Sequence, residues 1–392
     1  MSRFHSYINT AKLLLSQYNG DRPFALFVKD FFKQHTKYGS TDRKQIAHLC
    51  YCYFRLGKAG RNADTDQLML ASLFLCSTQP NKILSGIAPV LNDTVQLPLQ
   101  EKLDKIEFPL DTDHIFPWKI ELSSGIDHTA FSTSHITQPD LFLRIRPGFE
   151  EVVSKKLSAA NISFKLINEH CIALDNATKI NDVIELDKEA VVQDMNSQRI
   201  SEFFSFIKND DSLNIWDCCA ASGGKSILFH DMFPTAKLTV SDIRKSILIN
   251  LAKRFQQAGI TRYRSIVADL TNSKLPPEFT KGPNSYFDLV ICDAPCTGSG
   301  TWSRTPEQLY YFDERKINYY SNLQQKIAET ASMYVKSGGY FLYITCSVFK
   351  KENEVVVNQL EEKANLNLVK MEMLKGYDQK ADTLFAALLQ KK

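Results

Sequence analysis

No stretch of these 392 residues could cross a bilayer as a helix: the longest largely apolar run, Leu68 to Cys76, falls well short of the roughly 20 residues a span requires. The opening Met-Ser-Arg-Phe-His-Ser-Tyr is not followed by the apolar core and small-residue cleavage site of a secretory signal, so a cytoplasmic protein is expected. Paired Cys-x-x-Cys motifs are missing, which argues against structural zinc, and no metal is expected. The nine cysteines are an odd number in a chain without an export signal and read as thiols, not as a disulfide framework. Internal repeats and low-complexity segments are absent too. A hydrophobic fraction of 44% and a charged fraction of 23% exclude a disordered or fibrous protein.

Net charge is also scarce. At +3 it names no partner, but its distribution is uneven: residues 1–80 hold eleven Lys/Arg against five Asp. A basic module on a near-neutral chain fits either a polyanion contact or a solvated helix face.

The length predicts two or three domains. From Ser6 to about Leu75 apolar residues recur at helical spacing (Ala25, Leu26, Val28, Phe31, Phe32; then Ile46, Leu49, Cys50, Tyr53, Phe54), predicting several short amphipathic helices. Asp21 before Arg22-Pro23 and Ser40-Thr41 before Asp42 read as helix starts. Cys50-x-Cys52 reads as core. Prolines at 80, 89, 98, 109 and 117 punctuate residues 76–137, expected as the tail of this module running into a linker. From Pro139 short alternating runs predict a small α+β unit, with strands at Leu141–Arg146, Phe164–Ile167 and Cys171–Leu174 and a helix from Phe149 to Ala160. From Asp211 onward apolar strands alternate with helices. The strands, at Leu213–Trp216, Lys237–Val240, Ser265–Val267, Phe287–Cys292 and Tyr340–Thr345, predict a mostly parallel, doubly wound α/β sheet with ligands at the carboxyl ends of its strands.

The first strand enters Asp217-Cys-Cys-Ala-Ala-Ser-Gly-Gly-Lys-Ser226 and then a helix. Small residues there let backbone approach a ligand, and the helix start offers free amides. This is neither Gly-x-Gly-x-x-Gly nor a phosphate loop. Asp242, Asp269 and Asp293 close the next three strands. Any one of them would serve as a helix cap. As a set they suit a nucleoside with a cationic neighbour, which fits S-adenosylmethionine better than a diphosphate. Asp293-Ala-Pro-Cys-Thr-Gly-Ser-Gly300 follows the fourth strand and Thr345-Cys346-Ser347 the fifth, with Glu352-Asn353-Glu354 read as the start of the next helix. Two cysteines at adjacent strand ends in a reducing compartment are more than filler, whereas Cys218 and Cys292 read as core.

Taken together, these motifs resemble the RNA cytosine-C5 methyltransferases of the Sun/NSUN or ribosomal-RNA small-subunit methyltransferase B type. The resemblance runs over about residues 140–390: Leu141-Phe-Leu-Arg-Ile, Gln193-Asp-Met-Asn-Ser-Gln198, the 217–226 loop, Asp242, Asp269, the 293–300 loop with Arg304 and Pro306, Gly338-Gly339, Thr345-Cys-Ser347 and Asp382-Thr-Leu-Phe-Ala386. More weakly, residues 1–80 look like a NusB-type helical RNA-binding module, with Asp42-Arg43 as the clearest match. The resemblance implies a NusB-like domain and linker (1–137), a small RRM-like α+β unit (138–205) and a Rossmann-like methyltransferase domain (206–392). It further implies S-adenosyl-L-methionine as cofactor, held by Cys219, Ala220, Ala221, Ser222, Gly223, Gly224, Lys225, Asp242, Asp269 and Asp293. Catalysis would fall to Cys346 as nucleophile, Cys296 in product release and Asp293 on the base.

The chemistry wants a thiolate because cytosine C5 is electron-poor; attack at C6 turns C5 into an enamine-like nucleophile. The expected substrate is RNA, 16S ribosomal RNA first, read by a monomer on an unpaired or extruded cytosine. Transfer RNA, or a catalytically silent RNA-binding assembly factor, are the alternatives. Two departures stand out. Ser222 replaces the family's proline, which should loosen the loop. Ile247 stands where a basic residue usually follows Asp242, with Arg244 and Lys245 displaced.

Overall fold

The computed structural model describes residues 3–60, 63–208, 213–272 and 286–392. Asp211, at which the alternating pattern begins in the sequence, lies outside them. By packing, the chain divides into two units.

The first unit comprises Met1–Ile120, Asp127–Gln138 and Thr301–Asp313. Its main helices run over Arg3–Gln17, Phe24–Gln34, Ser40–Arg55 and Thr65–Cys76, and bury Leu14, Phe24, Leu49, Phe54 and Phe74 together. Cys50 and Cys52 lie in this core. Asp21 does not cap the second helix: that helix starts after Pro23, and the first amide, of Phe24, donates to Glu307 Oε1 at 3.3 Å. Nor is Ser40 a cap; Gly39 is, its amide donating to the Asp42 carboxylate at 2.9 Å. Residues 76–137 are more than a linker. They form short helices at Lys82–Ile87, Pro89–Asn92, Leu99–Leu103 and His128–Ser134, because Ile83, Leu84, Phe116 and Phe131 have apolar neighbours to bury against. Arg304 and Pro306 belong to this unit, Pro306 opening the helix Pro306–Tyr311.

The second unit comprises Glu121–Ile126, Pro139–Gly300 and Glu314–Lys392. Its four-stranded antiparallel sheet is built from β1 (Leu141–Ile145), β2 (Phe164–Asn168), β3 (Cys171–Leu174) and β4 (Ala190–Val192), in the order β2-β3-β1-β4. The helix Glu150–Ala159 packs Val153 and Leu157 onto it.

A seven-stranded sheet follows: β5 (Asn214–Asp217), β6 (Lys237–Asp242), β7 (Tyr263–Val267), β8 (Phe287–Asp293), β9 (Val335–Thr345), β10 (Leu366–Leu374) and β11 (Leu384–Lys391). The order is β10-β11-β9-β8-β5-β6-β7. β5 through β9 pair in parallel, whereas β11 runs antiparallel to both β9 and β10. Strand order reverses between β5 and β8, and such a switch point opens a crevice at the carboxyl ends. Both faces of the sheet are covered, as the parallel arrangement demands: Ile215, Leu289 and Ile344 belong to one apolar cluster, Trp216, Val290 and Tyr343 to the other. The two sheets are joined by Asp231, buried at the end of the helix Gly224–Met232, which accepts from Arg144 at 2.5 Å and from Arg146 at 2.6 Å.

Candidate active site

The crevice at the switch point is about 440 Å³, lined by Cys219, Ala221, Asp242, Arg244, Asp269, Asp293 and Cys296, with Ile243, Leu270 and Leu323 as apolar walls. A larger cleft, about 800 Å³, runs along Arg144, His170, Arg199 and Asp231, and none of the residues expected to do chemistry lines it.

The loop after β5 is stitched to its neighbours through backbone: Cys218 N–H donates to Ile291 and Ala220 N–H to Ser241. Ala221 and Gly223 take positive φ (44° and 86°), the tight turn that starts the helix Gly224–Met232. At Gly223 a Cβ would lie 2.7 Å from the Phe255 ring, so glycine is required there twice over. Ser222 does not leave the loop loose. Its carbonyl and hydroxyl both accept from Arg254, which is itself paired with Asp187 at 2.6 Å. A side-chain lock stands where proline would have fixed φ.

Asp242 is buried, and its oxygens accept from the Ala221 amide and from the Arg244 amide and guanidinium. Arg244, whose side chain is 58% exposed, pairs with Asp242 at 3.0 Å. Asp269 accepts from Thr271 and Asn272. Asp217, at the end of β5, is fully buried; Ser226 donates to its Oδ2 at 2.6 Å, while Oδ1 has no hydrogen-bond partner among the described residues. Burial, with Asp293 nearby, pushes its carboxyl up to about 7.

Beside it, Lys225 Nζ donates to Asp293 Oδ2 at 3.0 Å. Burial works against the ammonium, but the Asp293 carboxylate outweighs it and holds Lys225 above its ordinary value. Cys218, Cys219 and Cys292 bring their sulfurs within 4.8 Å of one another, the only such three-donor group among the described residues. Cys218 and Cys292 are fully buried, as expected of core cysteines.

The two cysteines expected to act meet. Cys296 Sγ and Cys346 Sγ are 3.2 Å apart, although 50 residues separate them. β8 and β9 are neighbours in register, with Asp293 opposite Ile344, so the loops that leave their ends start side by side. Gly300 ties the loops again: its amide donates to the Cys346 carbonyl and its carbonyl accepts from Thr383. Asp382 in turn donates from its amide to Asp194, and its carbonyl accepts from Asn196, so the 193–198 and 382–386 motifs brace one another. As expected of a helix start, Asn353 stands at the N-cap and Glu354 opens the helix Glu354–Lys363; Glu352 and Asn353 are both completely buried beneath the cysteine loops.

Residues 204–388 match the family model described as 16S rRNA methyltransferase RsmB/F. That match spans somewhat less than half of the 392 residues. Among RsmB/F-like relatives, the chain is 29% identical over 179 residues to ribosomal RNA small subunit methyltransferase B of Erwinia tasmaniensis, covering 45% of this chain and 40% of that one. It is 27% identical over 269 residues to a probable ribosomal RNA small subunit methyltransferase B of Synechocystis (66% and 58%). A human 28S rRNA (cytosine(4447)-C(5))-methyltransferase is 32% identical over 160 residues (40% and 19%). The matched part therefore spans between 19% and 58% of these relatives' lengths. The same fold occurs in the crystal structure of PH0851 (TM-score 0.68, 20% identity, 98% of this chain and 97% of that one) and in that of NSun6 from Pyrococcus horikoshii (0.57, 12%, 67% and 94%). No helix among the described residues is long and apolar enough to cross a membrane.

The residues present fit S-adenosylmethionine. A carboxylate on the second strand suits a ribose, apolar walls suit an adenine, and the partnerless Asp217 oxygen with Asp293 suits a cationic chain end.

Proposed function

We propose that this chain methylates carbon 5 of a cytosine in RNA, most directly small-subunit (16S) ribosomal RNA, with S-adenosyl-L-methionine as methyl donor. The observation that carries the reading is the 3.2 Å approach of two thiols at neighbouring strand ends beside the crevice. A pair of that kind suits a reaction that needs one sulfur to enter a ring and a second group to help it leave.

Cys346, as thiolate, adds to C6 of the cytosine, making C5 nucleophilic. Asp293, held by Lys225, hydrogen-bonds the base at N3 and favours protonation as charge builds there. The cofactor supplies an electrophilic methyl on a sulfonium. Once C5 carries the methyl, its proton passes to a solvent water, the C5–H electron pair restores the C5=C6 bond, and Cys346 leaves C6 as a thiolate, with Cys296 assisting. The 219–225 loop cradles the cofactor, Asp242 takes the ribose hydroxyls once Arg244 turns away, and Asp269 lies toward the adenine. Residues 1–137 act as a NusB-like RNA-binding module, 138–205 as the RRM-like unit and 206–392 as the methyltransferase domain, in a cytoplasmic monomer.

Bisulfite sequencing of RNA from cells lacking the gene tests this. Loss of methylation at one ribosomal cytosine is expected. Loss in transfer RNA alone would move the substrate, and no loss anywhere would favour a silent assembly factor.

A further inference from the structure

Glu352 lies directly beneath the two cysteine loops, is completely buried, and makes no ion pair among the described residues. Its Oε1 accepts from Thr297 Oγ1 at 2.6 Å and from Ser347 Oγ at 2.7 Å. Its Oε2 accepts from the Thr297 amide at 2.9 Å and from Gln324 Nε2 at 3.0 Å. Thr297 follows Cys296, Ser347 follows Cys346, and Gln324 also donates to the carbonyl of Pro295, the residue before Cys296. One carboxylate thus touches the chain next to both sulfurs. Asn353 completes the clamp on the other loop, accepting from Thr345 Oγ1 at 2.6 Å and donating to the Ser347 carbonyl at 2.9 Å.

The network runs toward an ionised Glu352. The amides of Val348 and Phe349 donate to the hydroxyls of Ser299 and Ser347. Those hydroxyls are therefore free to turn their own protons toward Glu352; burial raises its carboxyl above the ordinary value, and the bonds donated by Thr297, Ser347 and Gln324 oppose that rise in favour of the carboxylate. Breaking such a network leaves a buried charge or a buried donor unmatched, which is costly.

We propose that Glu352 is the positioning residue of the thiol pair: as a carboxylate it fixes the loops that carry Cys296 and Cys346, and its charge keeps the proton of the pair on Cys296. This rests on the reading of Cys346 as the nucleophile. A negative charge in a dry setting disfavours a second one nearby, and the charged partner available to offset it, Lys225, is committed to Asp293. The other titratable groups around Cys296 are Cys346, Tyr320 and the buried Tyr343, whose hydroxyl donates to the Glu352 carbonyl. In agreement, the Cys296 thiol is pushed up by its contact with Cys346, by burial and by Glu352.

The test is thiol alkylation by iodoacetamide across pH, read at each cysteine by peptide mass spectrometry, in Glu352→Gln and Glu352→Asp of the full chain. In Glu352→Gln, alkylation of Cys296 should begin at least one pH unit lower, about a tenfold gain at neutral pH; Glu352→Asp, which keeps the charge, should hold the native Cys296 profile. An unchanged Cys296 profile in a folded Glu352→Gln protein overturns the proposal. If that variant does not fold, Thr297→Val carries the test: it removes one donor and leaves the charge, and should slow covalent capture of RNA at least tenfold without changing cofactor affinity. An unchanged capture rate overturns the proposal. Alkylation needs no RNA, so a native protein that modifies no RNA while its Cys296 still responds to position 352 would sink the methyltransferase reading and leave the positioning role standing.

Discussion

The hydroxyl and the carbonyl of Ser222 are both held by one guanidinium, that of Arg254, at 3.0 and 2.9 Å. The turn beside the crevice is fixed by a helix 32 residues further along the chain and, through Asp187, by the smaller sheet's unit. Ser222→Ala should weaken cofactor binding by about threefold to tenfold, within the range of one ordinary hydrogen bond of about 0.5–1.5 kcal/mol, since the Ser222 carbonyl keeps its bond to Arg254. Arg254→Ala should weaken it more, because it frees both Ser222 contacts at once and leaves the buried Asp187 with an unmatched charge. Calorimetric titration with S-adenosylmethionine measures both; equal affinities for all three proteins would show that the lock does not shape the site.

Arg244 bears on the same ligand from the opposite direction. Its guanidinium occupies the Asp242 oxygens that a ribose would use. Exposed ion pairs are worth about 0–1 kcal/mol, so Arg244→Ala should tighten cofactor binding by up to about fivefold. Weaker binding would mean that Arg244 itself grips the cofactor.

Asp217 makes a prediction about pH. Its carboxyl is pushed up to about 7, against an ordinary value near 3.8, by burial first and by Asp293. Between those two values the unfolded chain has released this proton while the folded chain still holds it, so stability falls as pH rises through the window, by about 1.4 kcal/mol per unit at its steepest. Asp217→Asn removes the titration. Its melting temperature should therefore change less between pH 5 and pH 7 than that of the native protein, as read by calorimetry in the absence of ligand. Parallel pH profiles for the two proteins would contradict this.

Gly300 is where three motifs meet. A Cβ there would sit 2.0 Å from the Thr383 carbonyl oxygen and 3.1 Å from that of Cys346. Backbone cannot yield that far without moving the nucleophile's loop. Gly300→Ala should cost more than about 2 kcal/mol of stability, in the range of overpacked cores, and reduce covalent capture of RNA more than cofactor binding. A native melting temperature would show that the loops are free to part.

Much of this was legible before folding. β5 and β8 are buried on both faces and read as short apolar runs closed by Asp217 and Asp293, while in β6 Leu238 and Val240 alternate with the buried Thr239 and Ser241 before Asp242; such runs predict parallel strands and the residues at their tips. β10 escaped because Asn367, Lys370 and Glu372 interrupt a strand with one wet face, and the turn before β11 was read only as a motif. Asp21 failed as a cap because a distant carboxylate, Glu307, took the amide first. Glu352 could not be weighed from sequence at all, since its partners come from positions 297, 324 and 347 and only the fold assembles them. Arg254 was hidden in the same way.

The central claim is that Cys346 enters the pyrimidine ring and Cys296 releases it. It is tested by incubating Cys296→Ala, Cys346→Ala and the double variant with S-adenosylmethionine and RNA from cells lacking the gene, then separating the products by denaturing electrophoresis. Cys296→Ala should accumulate a protein–RNA adduct that survives denaturation, while Cys346→Ala and the double variant form none and transfer no methyl groups. Methyl transfer by Cys346→Ala, or an adduct in the double variant, would contradict the account.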